Sequence, residues 1–561
     1  MTKAGQDAME LRFPKLNHFW LDSGVLGLYK IVKEIDAGKF DVAALINCDG
    51  IVLSGLPDNI KALLEESYQI LLKHYYNKST QKQIQENSGF YYDSAKDAFV
   101  RFPKVKSMGI AGLIFSKAPR PTTDKGIKFE DKKNALLPST HSHLQEKLND
   151  FLKLTGLTVT TSELLVDGPN AIQPLVDICV KPAKVKGSCF LCGELSHSLS
   201  EIGGTVFPFI SGSSGALGFN TYAGSPEKVC WKCDYISKFV PVNGFYVCHD
   251  KGFQIFFPYS GDLHKINDVY GALHAAEYED PHLMRNFDHP LGGYFQKPFE
   301  LTFAFLYTLY VKVLTRKVND DLKKDEHELD FEKLFEITLS KAPLEFIVMH
   351  TEALGETQMG KMVWPFQDSV YFFRLLNRLE KEGVNIKEVM QKLVDYEQSK
   401  NENKSLIRNR ICERILRKQS TLDLIEQHLF HICKSKDAYI APVFDFVLNY
   451  ETILKEGGNG MEQVGVDAAV KLGKRIGASI ANAQNGKKGD LFALRKARKI
   501  EDFLNEVNRV QFKYNVSVPT EIYEGYLNRE TFAEFKQFCM IAALNTFNGV
   551  KYHTEKEGQK S

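Results

Sequence analysis

The sequence has no excess of charge of either sign and no long apolar run. Its 71 Lys and Arg residues are balanced by 70 Asp and Glu residues, so binding to a polyanion must come from local basic patches and not from net charge. The longest apolar stretch, Leu301 to Leu314, is shorter than a bilayer span and contains Lys312, which favours a buried helix. The first residues also lack the apolar run and cleavage site of a secretion signal. We therefore expect a cytoplasmic protein.

Recognisable catalytic motifs are absent as well. The sequence contains no Walker A loop, no Gly-x-Ser-x-Gly and no clear pair of carboxylates. The pairs His249-Asp250 and Asp288-His289 are compatible with a metal-dependent phosphohydrolase, but a two-metal site needs several more ligands. The motif His141-Ser-His143 has no acidic cluster beside it. We expect a protein that is not an enzyme, with a phosphohydrolase as the less favoured alternative.

Composition and periodicity predict an α+β fold. The 561 residues, 43% of them hydrophobic, suffice for three or four domains. Ala43 to Leu56 is apolar around an Asp-Gly turn signal, and apolar residues at helical spacing follow Asp58, which predicts two strands and then a helix. From about Leu263 onward, helical spacing dominates. The predicted domains are an α/β domain at 1–262 with an insertion at about 187–235, a helical domain at 263–400, a helical connector at 401–460 and a helical bundle at 461–561.

Two apolar stripes predict the helices of the C-terminal bundle. One stripe follows Asp490 and the other follows Asn528, and both residue types are good N-caps. The stripes consist of Ala493, Ala497, Ile500, Leu504 and Val507, and of Phe532, Phe535, Cys539 and Ala542. Polar segments at 397–405 and 455–460 predict breaks before the connector and before the bundle.

Four of the ten cysteines form two Cys-x-x-Cys pairs. The pairs are Cys189 with Cys192 and Cys230 with Cys233. Two residues between thiolates let both sulfurs reach one cation, and two such turns complete a tetrahedral site with no open position for a substrate. We therefore predict a structural Zn²⁺ site, with buried or redox thiols as the alternative and Cys248 or His249 as a less favoured ligand. The 37 residues between the pairs must then loop out and return to the metal.

A segment rich in glycine and serine, SGSSGALGFN, occupies 211–220, before the second pair. Glycine lets a backbone come close to a phosphate or to the floor of a DNA groove. The amide of Asn220 is able to bond a base edge in two places. By itself such a segment is more often a plain surface connector.

Basic residues are concentrated near the C-terminus. Between Lys471 and Lys499 there are nine basic residues and one acid, Asp490. Rows of cations of this kind follow a sugar-phosphate backbone without sequence preference, although a solvated helix face is the ordinary alternative. The predicted backbone contacts are Lys471, Lys474 and Arg475 on one helix face and Arg495, Arg498 and Lys499 on another. A second run, equally compatible with a partner subunit, comprises Arg408, Arg410, Arg414, Arg417 and Lys418.

Taken together, these features resemble a known family. An N-terminal α/β region interrupted by CFLCG and CWKCD, the stretch GFNTYAG before the second pair and a helical C-terminal half are similar to the CXXC-CXXC large subunit of type I-B CRISPR effector complexes (Cascade). The resemblance covers most of the chain. Its most specific element is the double Cys-x-x-Cys with GFNTYAG. The helical half matches only in its general helical character.

The resemblance implies a function in antiviral defence in a prokaryotic cytoplasm. The large subunit of this family recognises a short motif beside the target in double-stranded DNA, helps to open the duplex for the guide RNA, and presents the complex to a helicase-nuclease. Its implied partners are the backbone, cap and small subunits, the guide RNA, the target duplex and the displaced strand, with no membrane. The implied motif-reading residues are Ser213, Ser214, Gly218, Phe219 and Asn220. A zinc-ribbon scaffold without direct DNA reading is the main alternative.

Met461 is a predicted internal translation start. Relatives of the family make a small helical subunit from within the large-subunit gene, Met461 opens the predicted bundle, and Lys455-Glu456-Gly457-Gly458 back-translates to a purine-rich ribosome-binding sequence. We expect immunoblotting for the C-terminus to show a second product of 101 residues, from 461 to 561. A plain Gly-Gly linker predicts only the full-length band, as does a gene with synonymous codons that break the purine run.

Overall fold

A computed structural model gives the fold. It describes residues 8–35, 37–71, 89–101, 121–122, 126–160, 162–167, 170–171, 176–178, 184–202, 206, 227–249, 252–270, 290–293, 295–321, 345–354, 357–434, 438–456 and 461–558. The chain divides into two compact units. Unit 1 comprises Met1–Asp288 and His327–Gln367, and unit 2 comprises His289–Glu326 and Asp368–Ser561. The α+β class and the predominance of helix in the second half agree with the sequence prediction.

Unit 1 holds the described strands and seven of the described helices. The strands are β1 (Met9–Pro14), β2 (Ala43–Asn47), β3 (Gly50–Gly55), β4 (Phe90–Asp93), β5 (Ala98–Arg101), β6 (Pro121–Thr122), β7 (Ile127–Lys128), β8 (Glu163–Leu164), β9 (Asn170–Ala171), β10 (Gly187–Ser188), β11 (Leu195–Ser196), β12 (Leu199–Glu201), β13 (Lys228–Cys230), β14 (Phe245–His249), β15 (Gly252–Tyr259), β16 (Glu345–Leu354) and β17 (Thr357–Phe366). The helices are α1 (Phe19–Glu34), α2 (Ala37–Phe40), α3 (Pro57–Leu71), α4 (Gln145–Thr155), α5 (Trp231–Ser237), α6 (Val240–Asn243) and α7 (Leu263–Tyr270). A 3₁₀ turn, Ser139–Leu144, precedes α4.

Two antiparallel sheets and helix α1 form the centre of unit 1. The smaller sheet has the order β1-β3-β2, and the predicted Asp-Gly turn joins β2 to β3. The larger sheet has the order β14-β15-β16-β17, in which Phe256 is opposite Val348. Helix α1 is buried along most of its length because it packs closely on α5 and α6: a Cβ placed at Gly24 would lie 2.3 Å from the Ile236 carbonyl oxygen. The segment with the second cysteine pair is thereby fixed to the core of the unit.

Unit 2 is helical throughout its described part. Its helices are α8 (Pro298–Asp321), α9 (Ser369–Lys381), α10 (Ile386–Lys392), α11 (Asn401–Lys404), α12 (Leu406–Leu416), α13 (Leu422–Ile432), α14 (Ala441–Lys455), α15 (Gln463–Asn482), α16 (Gly489–Lys496), α17 (Ile500–Tyr514) and α18 (Phe532–Gly558). A 3₁₀ turn, Thr520–Glu524, lies between the last two. On α9, Phe372, Leu375, Leu376 and Leu379 recur at helical spacing and are all buried, as such an apolar stripe predicts.

A buried ion pair ties α8 to α12. Arg408 Nε donates to Glu300 Oε2 at 2.7 Å, and both side chains are almost fully buried. The Ser405 hydroxyl and the backbone N–H groups of Gln296 and Lys297 complete the carboxylate's partners. A buried charge is tolerated only with such a complete set of partners, so Arg408 has a structural role.

Three local predictions need correction. Residues 345–366, within the range predicted as helical, form β16 and β17 because β16 supplies the second partner strand of β15. The polar segment 397–405 is not a free linker: it contains α11 and ends at the buried Ser405. The helix predicted to run through Ala497 breaks there, where the Ala497 carbonyl accepts a hydrogen bond from Lys536 Nζ at 2.8 Å.

The four predicted domain ranges stay predictions, and the structure groups the chain more coarsely. The last 101 residues, 461–561, belong to unit 2 together with α8 to α14. Asn548 Nδ2 donates to the Ala438 carbonyl oxygen at 2.9 Å, and Lys455 pairs with Glu534. The predicted break after Lys455 is therefore spanned by side-chain contacts.

Close contact between α15 and α18 should make unit 2 sensitive to one methyl group. A Cβ at Gly477 would lie 2.2 Å from the Ala543 carbonyl oxygen, whereas a Cβ at Gly549, within α18 itself, would meet nothing within 4 Å. We expect Gly477→Ala to lower the free energy of unfolding by about 1–3 kcal/mol through overpacking. Gly549→Ala should raise it by up to about 1 kcal/mol through helix propensity. Urea denaturation of both variants checks this, and equal midpoints would contradict the close packing.

Candidate metal centre and nucleic-acid interface

The first cysteine pair lies at the turn of a short hairpin. Strands β10 and β11 are antiparallel, with Ser188 opposite Leu195. The turn between them carries Cys189 and Cys192 and closes through Gly193 N–H, which donates to the Cys189 carbonyl oxygen at 2.9 Å. Gly193 has a φ of 73°, a conformation that glycine adopts without steric cost. The turn therefore directs both sulfurs to one side.

The second pair lies where a strand becomes a helix. Cys230 is the last residue of β13 and the N-cap of α5, and Cys233 lies in the first turn of that helix. Trp231, between the two, is buried and packs edge-on against Phe13 of β1, with ring centroids 6.1 Å apart. The core of unit 1 therefore helps to set the position of this pair.

The four sulfurs converge on one point. All lie within 4.8 Å of one another, and Cys192 Sγ is 3.7 Å from Cys230 Sγ. A tetrahedral cation with bonds of about 2.3 Å to sulfur, the length typical of zinc, places its sulfurs about 3.8 Å apart. The cluster thus has the dimensions of a tetrahedral four-thiolate metal site. Among the residues that the structure describes, no other group of three or more His, Cys, Asp or Glu side chains gathers in this way.

The four sulfurs also shift one another's pKa. Hydrogen bonds from the neighbouring sulfurs, Cys192 first, lower the pKa of Cys189. Contacts with the other three sulfurs, Cys189 first, raise the pKa of Cys233 far above its usual range. Without a cation the four groups must share protons, because adjacent thiolates repel one another. A bound metal takes all four as thiolates, so binding releases protons.

Backbone N–H groups and an apolar shell surround the sulfurs. The amides of Cys192 and Cys233 hydrogen-bond to the sulfurs of Cys189 and Cys230, respectively. Buried Ile202 and Val229 pack against the cluster, and Trp20 Nε1 donates to the Val206 carbonyl oxygen at 2.8 Å. Such outer contacts orient metal ligands and exclude water. Sequence spacing found the four cysteines but gave no sign of this shell, to which the distant Trp20 also contributes.

The predicted motif-reading segment, 211–220, lies outside the described residues. Ser213, Ser214, Gly218, Phe219 and Asn220 therefore stay predictions. The strands on either side of the segment are described: β12 and β13 are antiparallel, with Glu201 opposite Lys228 and Leu199 opposite Cys230. The chain thus leaves the metal centre and returns to it at neighbouring positions, as the long spacing between the cysteine pairs implied.

The first group of predicted backbone contacts has partners within unit 2. Lys471 Nζ lies 2.7 Å from Glu521 Oε1, and Arg475 Nη1 donates to the Ser517 carbonyl oxygen at 3.0 Å. Lys474 Nζ stands 5.8 Å from the centre of the Phe444 ring. All three lie on α15, as predicted. Contacts within the protein therefore partly neutralise their charges, which leaves less of the charge available to nucleic acid.

The second group is divided by the helix break. Arg495 lies at the end of α16 and forms a bidentate pair with Glu426, with Nε 2.6 Å from Oε1. Arg498 and Lys499 follow in the connection to α17 and are exposed. The expected common helix face for these three residues is therefore wrong, because the helix ends at Lys496.

The second basic run is mostly paired. Arg408 is buried with Glu300, Arg414 and Arg417 pair with Asp423 and Glu413, and Lys418 Nζ is 2.8 Å from Asp368. Arg410 is exposed, and within the described residues its guanidinium has no ion pair. Pairing could not be seen in the sequence because the acidic partners of Arg408 and Lys418 lie far away in the chain.

The residues considered for a phosphohydrolase do not form a described site. His249 Nε2 lies 3.1 Å from the Thr351 carbonyl oxygen, and its ring stacks on that of His350. His141 and His143 lie in the 3₁₀ turn before α4. Asp250, Asp288 and His289 lie outside the described residues. The alternative gains no support from the described part of the chain.

Comparison with known proteins gives no match: no family model fits this chain, and no curated protein matches it. In the part of the chain that the structure describes, each helix is either too short or too polar to cross a bilayer.

Removal of one sulfur should release the metal. We expect Cys233→Ser to lower the metal content from about one ion per chain to near zero and to lower the thermal midpoint, because binding requires all four thiolates and adds to folding free energy. Elemental analysis by mass spectrometry measures the content. Cys48→Ser is the matched control, since Cys48 is an exposed cysteine outside the cluster. Full metal content in Cys233→Ser, or equal loss in both variants, would refute the assignment.

Proposed function

We propose that this chain is the large subunit of a type I-B CRISPR effector complex. In this role it recognises the motif beside the target in double-stranded DNA, promotes duplex opening and guide RNA pairing, and helps to recruit a helicase-nuclease. It acts in a prokaryotic cytoplasm with the backbone, cap and small subunits. The chain itself performs no chemistry on the DNA.

The observation that carries the proposal is the four-cysteine cluster. The resemblance rests first on the two Cys-x-x-Cys pairs, and their sulfurs meet within 4.8 Å although 37 residues separate the pairs. We assign Zn²⁺ to the cluster because four thiolates at tetrahedral spacing suit it. Its role is structural, since four protein ligands leave no position for substrate or water. The resemblance to the family supplies the rest of the proposal.

The metal centre provides a rigid base for the proposed reading segment. In RNA-guided systems base pairing reads the target, so the protein need inspect only a short duplex motif. Residues 211–220 lie between β12 and β13, which pair beside the metal. In our proposal Asn220 bonds a base edge, Gly218 gives close approach, and Phe219, Ser213 and Ser214 contact the surrounding backbone. A site on a rigid support is positioned more accurately than one on a free loop.

A zinc-ribbon scaffold without DNA contact is the second candidate. One observation favours it: Lys471, Arg475 and Arg495, all predicted to hold nucleic acid, form hydrogen bonds within unit 2. A scaffold needs no free cations on these helices. It predicts no salt-dependent affinity of the complex for duplex DNA, whereas phosphate contacts give a steep dependence.

The proposal is tested by flanking-motif discrimination. The reconstituted complex with Asn220→Ala should lose its preference for target duplexes with the correct flanking bases by about 5- to 150-fold, because one bidentate base contact contributes about 1–3 kcal/mol of discrimination. Binding of matched duplexes with correct or scrambled flanks measures the preference. Metal content must be unchanged in the same preparation.

Two controls separate the alternatives. Asn482→Ala, at the exposed end of α15, should keep full discrimination. Asp250→Ala should leave interference intact, and its loss would favour the phosphohydrolase. If Asn220→Ala keeps full discrimination, another segment recognises the flanking motif, and the first candidate is the Pro- and Lys-rich segment 116–133. Absence of any salt-dependent duplex binding by the wild-type complex would favour the scaffold.

A further inference from the structure

A large groove in unit 2 brings the two basic runs together. Its cavity volume is about 1060 Å³, slightly above the usual range of about 300–1,000 Å³ for small-molecule pockets. The walls are α12, α13 and α16 with the residues just before α16 and after α13. Arg410 comes from the second basic run, and Lys488, Arg495 and Lys496 come from the run between Lys471 and Lys499. Lys434, which belongs to neither run, also lines it. We call this cavity the basic groove.

Three cations of the groove are available to a ligand. Arg410, Lys434 and Lys496 are exposed, and no ion pair engages them within the described residues. Asp395 is the acidic lining residue, and its Oδ2 lies 3.1 Å from His431 Nε2. The free charge facing the cavity is therefore positive. Low-dielectric walls concentrate such a field and attract anions.

The remaining cations of the groove hold its walls in place. Arg495 pairs with Glu426 and its guanidinium lies 4.9 Å from the centre of the Phe430 ring. Lys488 Nζ donates to the Cys433 carbonyl oxygen at 2.8 Å. These contacts join α16 to α13 across the groove. The walls of the groove that carry the unpaired cations are thus held in place, which lowers the conformational entropy lost when a ligand binds.

An aromatic ring lies among these charges. Phe492 lines the groove and is only partly buried. Its ring packs edge to face against the buried Phe430, with centroids 5.2 Å apart and an interplanar angle of 87°. The contact fixes the orientation of the Phe492 ring. Amide side chains at Gln398, Asn403 and Gln427 complete the polar lining.

We propose that the basic groove binds single-stranded nucleic acid. Arg410, Lys434 and Lys496 contact successive phosphates, and a base stacks on Phe492. Interleaved cations and aromatic rings are the usual means of holding a single strand without sequence preference. A duplex keeps its bases stacked inside and offers none to Phe492, so the aromatic contact selects the single strand. A free nucleotide would use one phosphate site and leave the others empty.

The test is binding of a fluorescent oligothymidine of about 30 nucleotides to the full chain, followed by anisotropy at several salt concentrations. The triple variant Arg410→Ala/Lys434→Ala/Lys496→Ala should bind at least about tenfold more weakly. The slope of log K against log salt should fall by about 2, since each phosphate contact on a single strand contributes about 0.7. Phe492→Leu, which keeps an apolar side chain of similar bulk, should weaken binding at least about fivefold and leave the salt slope unchanged.

The matched control removes three other charges from unit 2. Lys381, Lys387 and Arg529 are exposed and lie outside the groove lining, and their triple alanine variant should bind like wild type. Equal loss in both triple variants would mean that net charge alone drives binding and would overturn the proposal. Unchanged binding in the groove variant would also overturn it, as would an equal loss of affinity for the corresponding duplex.

The inference is independent of the CRISPR proposal. It concerns the isolated chain and a single strand, whereas the flanking-motif test uses the assembled complex and a duplex. A groove variant that loses oligothymidine but keeps flanking discrimination supports the groove as a separate site. Strong groove binding together with a failed Asn220→Ala test would leave a single-strand-binding protein of another class.

Discussion

In unit 1, four sulfurs that meet at one place hold a peripheral hairpin against the core. Thiolates at such short distances repel one another, so a cation that binds all four favours this arrangement. One pair of ligands belongs to a small hairpin and the other to the first turn of a helix packed on α1. The four-cysteine cluster therefore joins a peripheral hairpin to the core, and the intervening chain is returned to the same point by β12 and β13.

In unit 2, basic residues with partners inside the protein differ in role from those without an ion pair. Arg408 is neutralised inside the core by Glu300, and Arg495 is held by Glu426 against an aromatic ring. Cations paired in this way hold helices together. Because their charge is largely neutralised, they attract an anionic ligand only weakly. Arg410, Lys434 and Lys496, which have no ion pair within the described residues, gather around one cavity, so the distribution of partners, and not the count of basic residues, distinguishes structure from binding.

Sequence reasoning succeeded where chemistry repeats at short range. The two Cys-x-x-Cys pairs, the strand-turn-strand before Asp58 and the stripe from Phe372 to Leu379 all followed from local spacing. It failed where a distant residue decides the outcome. Helix α16 ends just before Ala497, whose carbonyl oxygen accepts a hydrogen bond from the distant Lys536. Residues 345–366 form strands because β16 pairs with the otherwise open edge of β15. No window along the chain contains both members of such a pair.

The pairing of Glu201 with Lys228 has a consequence for how this protein changes over time. A connection whose two ends are already held together adds little cost when it grows: doubling a flexible loop costs only about 0.6 kcal/mol in closure entropy. Insertions and deletions within residues 207–226 therefore leave the four cysteines and the buried Ile202 and Val206 in place. Evolution is therefore able to change the length of this segment repeatedly while the four-cysteine cluster beside it is kept.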